Sequence, residues 1–390
     1  MEKFRPKPVD DPRRALTPYL AELRRRVLDL GGFCNAHLHL DRAGTLEMTQ
    51  TLLRTQVTGD GSHLTLAKKH ALIPLVHASP AYEPTALAER VRPFLGLLSQ
   101  AGTTRADTVV DVTDDRVGTS ALEALLRLKA EVKDQLDFRL GAYSPLGFRD
   151  DEPGRWRILR EGARQADFLG ALPERDDRRD YPEHIGFEAS CRRMIELSAE
   201  CAKPLHIHVD QANHPAENGA ETVLRILREE GRPPHGPGEP HIWLVHVISP
   251  SAYPEDRFRA LAQGMAEARV GLICCPSAAL SMRQLRPANG PTRNSVARVL
   301  DFLAAGVHVR LGSDNLCDIT SPAGTTELLD ETALLANATR FYRTEVLARL
   351  AAGVAMGETE LREIAEHLRE DRVQTEREAA RWQARLDEGR

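Results

Sequence analysis

No stretch of this 390-residue chain approaches the ~20 consecutive apolar positions that a membrane span needs. The opening MEKFRPKPVDDPRR lacks the apolar core of a secretory signal. Neither charge is in excess: Lys+Arg is 52, Asp+Glu is 57, and the net charge is −5. That balance gives no reason to expect a nucleic-acid or membrane-surface partner. The six cysteines form no CxxC pair, and most fall in apolar strand-like runs, where a buried free thiol is the ordinary reading. A reduced, cytoplasmic protein is therefore expected. No internal repeat and no low-complexity segment is present. With 42% hydrophobic and 28% charged residues, the composition excludes a disordered or fibrous chain.

What is present is alternation. Short apolar or β-branched runs precede longer amphipathic stretches. Eight strands are predicted: Phe33–Asp41, Thr108–Thr113, Asp137–Ser144, Phe168–Pro173, Leu205–Gln211, Ile242–Ser249, Val270–Pro276 and Val307–Asp314. Helical patterns lie between most of them, at 120–132, 155–166, 187–200, 220–231 and 295–306. An earlier helix over 17–30 is bounded by Thr17, Pro18 and Gly31-Gly32. Eight βα units can close a (β/α)8 TIM-type barrel. A doubly wound open sheet is the alternative, weakened by the lack of GxGxxG after the first strand. The predicted organisation is an N-terminal helical segment over 1–32, a barrel over 33–350 and a helical extension over 351–390. The stretch from Gly44 to Gly102 is long for one connection, and such connections tend to be functional lids. The charged helix from Thr359 onward is solvated or contacts a partner, and homo-oligomerisation is left open.

Several histidines fall at strand C-termini. His37 and His39 stand two apart in NAHLHLD, so a strand points both to one face. His206 and His208 repeat the spacing in LHIHVDQ, His246 sits in WLVHVIS, and Asp314 ends RLGSD. A single histidine in an apolar strand is more often a core residue than a ligand. The joint pattern over the first, fifth, sixth and eighth strands is harder to ascribe to chance. In a βα barrel these strand ends build the active site. Neutral imidazoles with one carboxylate suit a divalent transition metal that keeps a position open for water.

This pattern resembles the amidohydrolase superfamily, and within it the cytosine deaminase and N-isopropylammelide hydrolase branch. The similarity is carried by HLHLDR (37–42), the 109–132 run, LGALPERD (169–176), HVDQ (208–211), CCPSAALSMRQ (274–284) and the stretch from 293 into RLGSDN (310–315). The resemblance implies a distorted (β/α)8 barrel with His37, His39, His208 and Asp314 holding a metal. It implies His246 as proton shuttle and oxyanion stabiliser, with Asp314 as ligand and base. Gln211 takes the place of a catalytic Glu. Asn315, His206 and Ser144 fall at substrate-contacting positions, although His206 also reads as a hydrogen-bonding neighbour of the ligands. The fourth strand carries no Lys to bridge a second ion, so one Zn or Fe ion is implied per chain.

The implied activity is hydrolytic cleavage of a C–N bond, by deamination or amine release, in a small N-heterocycle. Gln211 cannot titrate where relatives carry a proton-shuttling Glu. Pro145 stands where the family has a pyrimidine-binding Gln, and Asn315 where it has a second Asp. Cytosine is therefore expected to be a poor substrate. Glu217 and His214 read as exposed loop residues, with a proton-donor role as the alternative. The β-sandwich common in this branch is expected to be absent or vestigial. Two other readings remain: a cyclic amidase or other heterocycle hydrolase with a non-amine leaving group, and a catalytically silent barrel.

Overall fold

The computed structural model of the chain describes residues 16–54, 64–231, 238–282 and 295–388. Part of the predicted N-terminal segment (1–15), of the predicted covering connection (55–63) and of the motif residues at 283–284 and 293–294 lies outside the described residues. So does part of the predicted organisation at 232–237 and 389–390.

All eight predicted strands form. They are β1 (Phe33–Leu38), β2 (Thr103–Asp111), β3 (Asp137–Tyr143), β4 (Phe168–Ala171), β5 (Leu205–Val209), β6 (Ile242–His246), β7 (Gly271–Cys274) and β8 (Val309–Leu311). They pair in parallel in the order β1 to β8. The ring is nearly closed by a parallel bridge between Leu38 and Asp314. Asp314 N–H donates to His37 O at 2.9 Å, and His39 N–H to Asp314 O at 3.3 Å. Lower down, the Asn35 amide donates to Ser313 Oγ at 2.9 Å and accepts from Ser313 N–H at 3.1 Å. Gly312 is required here, because a Cβ would stand 2.8 Å from the His37 Cβ. The architecture is a (β/α)8 barrel, and among the described residues no further strand forms a sandwich beside it.

The strand ends differ from expectation in two ways. Strand β2 begins at Thr103, not Thr108. The TTRAD stretch is polar in sequence, but Arg105 finds Asp107 inside the barrel and pairs in register with Asp137. Most strands also end two or three residues early, because the chain leaves the sheet where it turns over the site.

The helices follow simple causes. In Pro18–Asp29, Thr17 caps the start by accepting from Leu20 N–H at 3.5 Å. Gly32 ends the run with φ of +104°, where a Cβ would lie 2.5 Å from Thr104. Helix Ser120–Val132 buries Leu122, Leu125 and Leu128, one per turn. The predicted 295–306 helix is shorter, at Val299–Ala304. The last helix, Glu358–Glu388, is anchored by the fully buried Ile364, while Trp382 and Leu386 stand in solvent. No helix among the described residues is long and apolar enough to cross a membrane.

The main apolar core lies between strands and helices, and includes Leu38, Val110, Ile207 and Leu244. Inside the barrel are two small clusters, one around Trp243, Val245 and Ile273, the other around Tyr143 and Phe168.

Candidate metal centre and active site

The site forms where several strands end. In β1, Cys34 and Ala36 already pack inside the barrel with Trp243. Strict alternation would then send His37 and His39 outward. A register shift between Asn35 and Leu38 reverses the alternation, and both imidazoles turn inward. Strand β5 supplies His208 by plain alternation. Strand β6 places Trp243 and Val245 inside, so His246 would face out. Instead His246 adopts φ of +76° and the following Val247 +49°, and the ring swings over the site. Asp314, just past β8, has φ of +62°. Backbone in this region is strained for such residues and persists where the surroundings over-determine it.

His37, His39 and His208 bring ligand nitrogens within 4.8 Å of one another. His208 Nε2 lies 2.9 Å from His37 Nε2. Asp314 Oδ1 is 3.2 Å from His39 Nε2 and 3.7 Å from His37 Nε2, while Asp314 Oδ2 is 3.9 Å from His246 Nε2. His208 Nδ1–H donates to Ala171 O at 3.0 Å, which leaves the lone pair on Nε2 and aimed at the site. Burial holds the imidazoles neutral: His208 is pushed down to about 3 and His246 to about 4, and His37 and His39 lie well below their usual range. Asp314 Oδ1 is buried without a hydrogen-bond donor. A dry cluster of neutral imidazoles around an acceptor-only oxygen leaves a carboxylate uncompensated, and a divalent cation would compensate it. The residues therefore fit the metal.

His39 is also held from behind. Arg42 Nη2 approaches its Nδ1 at 2.6 Å, and the guanidinium pairs with Asp111. Because Arg42 can only donate, the His39 proton sits on Nε2, 3.2 Å from Asp314 Oδ1 but not aligned on it as a hydrogen bond. A cation between the two would take that proton's place. Asp111 is in turn bound by His77 at 3.0 Å and Tyr82 at 3.1 Å, and His77 also meets Asp115 at 2.6 Å. Burial opposes charge on His77, but the hydrogen bonds it donates to Asp111 and Asp115 overcome it and raise the imidazole to about 9.

Above the cluster is a cavity with about 480 Å³ of space between atoms, open mouth included. His39, His208, His246 and Asp314 line its base, with Gln211, Asn315 and Tyr143 around them. Leu66 and His70, from the long β1–β2 connection, line its side, so part of that connection does cover the site.

Two sequence-predicted substrate positions lie elsewhere. His206 is one layer deeper, its ring 4.4 Å from Phe168 and 6.5 Å from Trp243, and it does not line the cavity. Its Nδ1 is buried without a partner, so no hydrogen bond to the ligands is made through that atom. Ser144 is buried beside β3 but outside the lining; its neighbour Tyr143 takes the rim instead, because alternation turns successive residues to opposite faces. Glu217 also departs from the exposed-loop expectation. It is half-buried, accepting from Ala212 N–H at 2.8 Å and from the Ser249 hydroxyl. His214 is exposed, as expected.

Sequence reading missed Tyr143, Arg42, His70, His77 and Glu174. Tyr143 ends a predicted strand, so the rim rule could have found it. Glu174 follows β4, in a segment where lysine is the usual point of interest. It accepts from the Gln211 side chain at 2.8 Å.

No protein-family model matches the chain. A Haemophilus influenzae protein described only as uncharacterized is 26% identical over 260 residues, 66% of this chain and 85% of that protein. Among solved structures, 5-methylcytosine deaminase from Klebsiella pneumoniae with phosphonocytosine superposes with a TM-score of 0.69 at 21% identity, covering 82% of this chain and 73% of that one. N-isopropylammelide isopropylaminohydrolase from Burkholderia multivorans gives 0.59 at 20% identity, covering 86% and 82%. Zinc-complexed atrazine chlorohydrolase from Arthrobacter aurescens gives 0.55 at 17%, covering 83% and 69%. The chain has the barrel fold of these heterocycle deaminases and hydrolases of the amidohydrolase superfamily, the resemblance its strand-end motifs carry.

Proposed function

We propose that this protein is a hydrolase that cleaves a C–N bond of a small N-heterocycle, with one zinc or ferrous ion held by His37, His39, His208 and Asp314. The carrying observation is the cluster of His37, His39 and His208 nitrogens at the base of a cavity, with His37 and His39 facing the buried Asp314 Oδ1. The shared fold supports it, since the structural neighbours are named for deamination, amine removal and dechlorination of such rings. Bound there, the ion would bring the pKa of a coordinated water toward ~7. Asp314 is placed to take a proton at Oδ2, facing His246. His246, neutral and buried at 4% exposure, is placed to stabilise developing negative charge and to pass the proton toward the leaving group. Gln211 and Asn315 orient the ring without titrating. The buried free thiols of Cys34, Cys191, Cys274 and Cys275 support a reduced, cytoplasmic setting.

The test is metal analysis of the reconstituted protein with an ammonia- and amine-release assay over substituted triazines, pyrimidines and imidazoles. One ion per chain and amine release are expected, with cytosine poor. Two ions per chain, or none, would sink the metal assignment. The dechlorinating neighbour favours one second reading, a non-amine leaving group on the same centre. Turnover without ammonia or amine would select it. A loaded metal with no turnover across the panel would select the silent barrel.

A further inference from the structure

Gln211 lines the cavity, but its amide is not free to choose a face. Its Nε2 donates to Glu174 Oε2 at 2.8 Å, and its main-chain N–H reaches Glu174 Oε1 at 3.4 Å. The two carboxyl oxygens thus both face N–H donors, and one of those donors belongs to the backbone and cannot reverse. An amide whose nitrogen is committed to a carboxylate keeps its carbonyl for the other side. Gln211 Oε1 accepts no hydrogen bond from a described residue.

This orientation holds only if Glu174 remains an acceptor. Burial and the neighbouring Glu217 carboxylate push Glu174 well above the usual range, and burial raises Glu217 too. A proton taken up by either carboxyl group would relieve that repulsion. Glu217 receives both of its donors, Ala212 N–H and the Ser249 hydroxyl, at Oε2, and its Oε1 receives none among the described residues. A proton on Glu217 Oε1 opposes nothing. On Glu174 it would face an N–H at either oxygen. The donor geometry therefore favours Glu217 as the site of any such proton and Glu174 as the acceptor.

Resting on the function proposed above, we propose that Glu174 is a specificity-positioning residue: it turns Gln211 so that the amide carbonyl faces the substrate, which selects heterocycles presenting a ring N–H there over those presenting a bare ring nitrogen. Glu174 touches no substrate in this scheme. It acts through Gln211 alone.

The experiment measures binding, not turnover, to the metal-loaded full-length protein. The probes are cyanuric acid, whose ring nitrogens all carry hydrogen, and 1,3,5-triazine, whose ring nitrogens are all bare. Wild type should bind cyanuric acid at least roughly tenfold more tightly, the size of one hydrogen bond gained against one donor-acceptor mismatch. In Glu174→Gln the backbone N–H of Gln211 holds the new amide's oxygen, so its nitrogen faces Gln211 and turns that amide over, and the ratio should fall to about one or reverse. A merely structural role would weaken both probes together and leave the ratio alone. If Glu174→Gln fails to fold, Gln211→Met carries the test: removing the amide should collapse the same ratio. A folded Glu174→Gln that keeps the wild-type ratio, or a wild type that prefers triazine, overturns the inference and leaves the hydrolase reading standing. Failure of wild type to bind either probe overturns the inference and counts against the heterocycle reading as well.

Discussion

The floor and the rim of the barrel both bury charged or ionisable groups, and they do so in opposite ways. On the floor, Arg105 forks onto Asp107 at 2.7 and 2.9 Å, and the 3% exposed Arg310 ion-pairs with Glu239. Arg310 also stacks 4.5 Å from the Trp243 ring, whose indole N–H donates to Pro240 O at 2.9 Å. Each charge there has an opposite charge or a π-face, although the neutral His206 Nδ1 and the Arg310 Nε are left unpaired. On the rim, His37 Nδ1, His246 Nδ1 and Asp314 Oδ1 are buried without partners. The backbone beneath His246, Val247 and Asp314 is left-handed. Folding alone gains nothing from such an arrangement, since each orphaned buried group costs about 1–3 kcal/mol. The floor is built for stability. The rim leaves polar atoms unpaired at the place where the metal is proposed to bind.

The contrast breaks most sharply at a ligand. His39→Ala should lose the bound ion and all turnover, read by metal analysis and the amine-release assay. It should move the melting temperature of the metal-free protein by only a few degrees, because the hydrogen bond lost to Arg42 is offset by relief of the crowded, poorly paired cluster. A metal-free protein that melts many degrees lower would mean that the rim, like the floor, is structural.

The next largest effect separates ligand from catalyst. His246→Ala should keep the metal but lower kcat by ~10²-fold or more, the usual size of a general acid–base contribution. Loss of metal with activity would make His246 a ligand.

Between floor and rim stands His77, paired like the floor but next to the site. Its imidazole is raised to about 9 by Asp111 and Asp115. The folded value exceeds the unfolded ~6.5, so this stability is fully present below pH ~6.5 and is lost as pH rises through about 9. The loss should be about 2 kcal/mol, discounted because the Asp115 side chain is 28% exposed. Denaturant melts from pH 6 to 10 should show that slope in wild type and not in His77→Gln. An identical slope in both proteins would assign it to another group.

The smallest effect belongs to the floor. Arg310→Met should cost about 1–2 kcal/mol, since its partner Glu239 is half exposed and can resolvate. Metal content and KM should not move. A change in KM would show that the floor transmits strain to the rim.

Much of this was legible in the residues. The eight strands declared themselves by apolar runs between helical periods, and helix 120–132 was legible to the residue, because local patterning decides which segments are strands and helices. The gathering of His37, His39, His208 and Asp314 was also implied, since strand ends in a βα barrel meet at one rim. Sequence patterning could not fix which way several side chains face. His37 and His39 turn inward through a register shift in β1, and His246 turns inward through a left-handed backbone that its alternation contradicts. Such irregularities are imposed by neighbouring strands closing the ring, so no local periodicity announces them. His206 carries the same spacing to His208 that His37 carries to His39, yet it lies one layer down against Phe168. Likewise the Glu174–Gln211 contact joins residues 37 apart in the chain. Composition and periodicity determined which segments form strands and which ionisable groups stand near their ends. Only the closure of the barrel decided which of those groups meet, because contact between distant strands is a property of their packing and not of either strand alone.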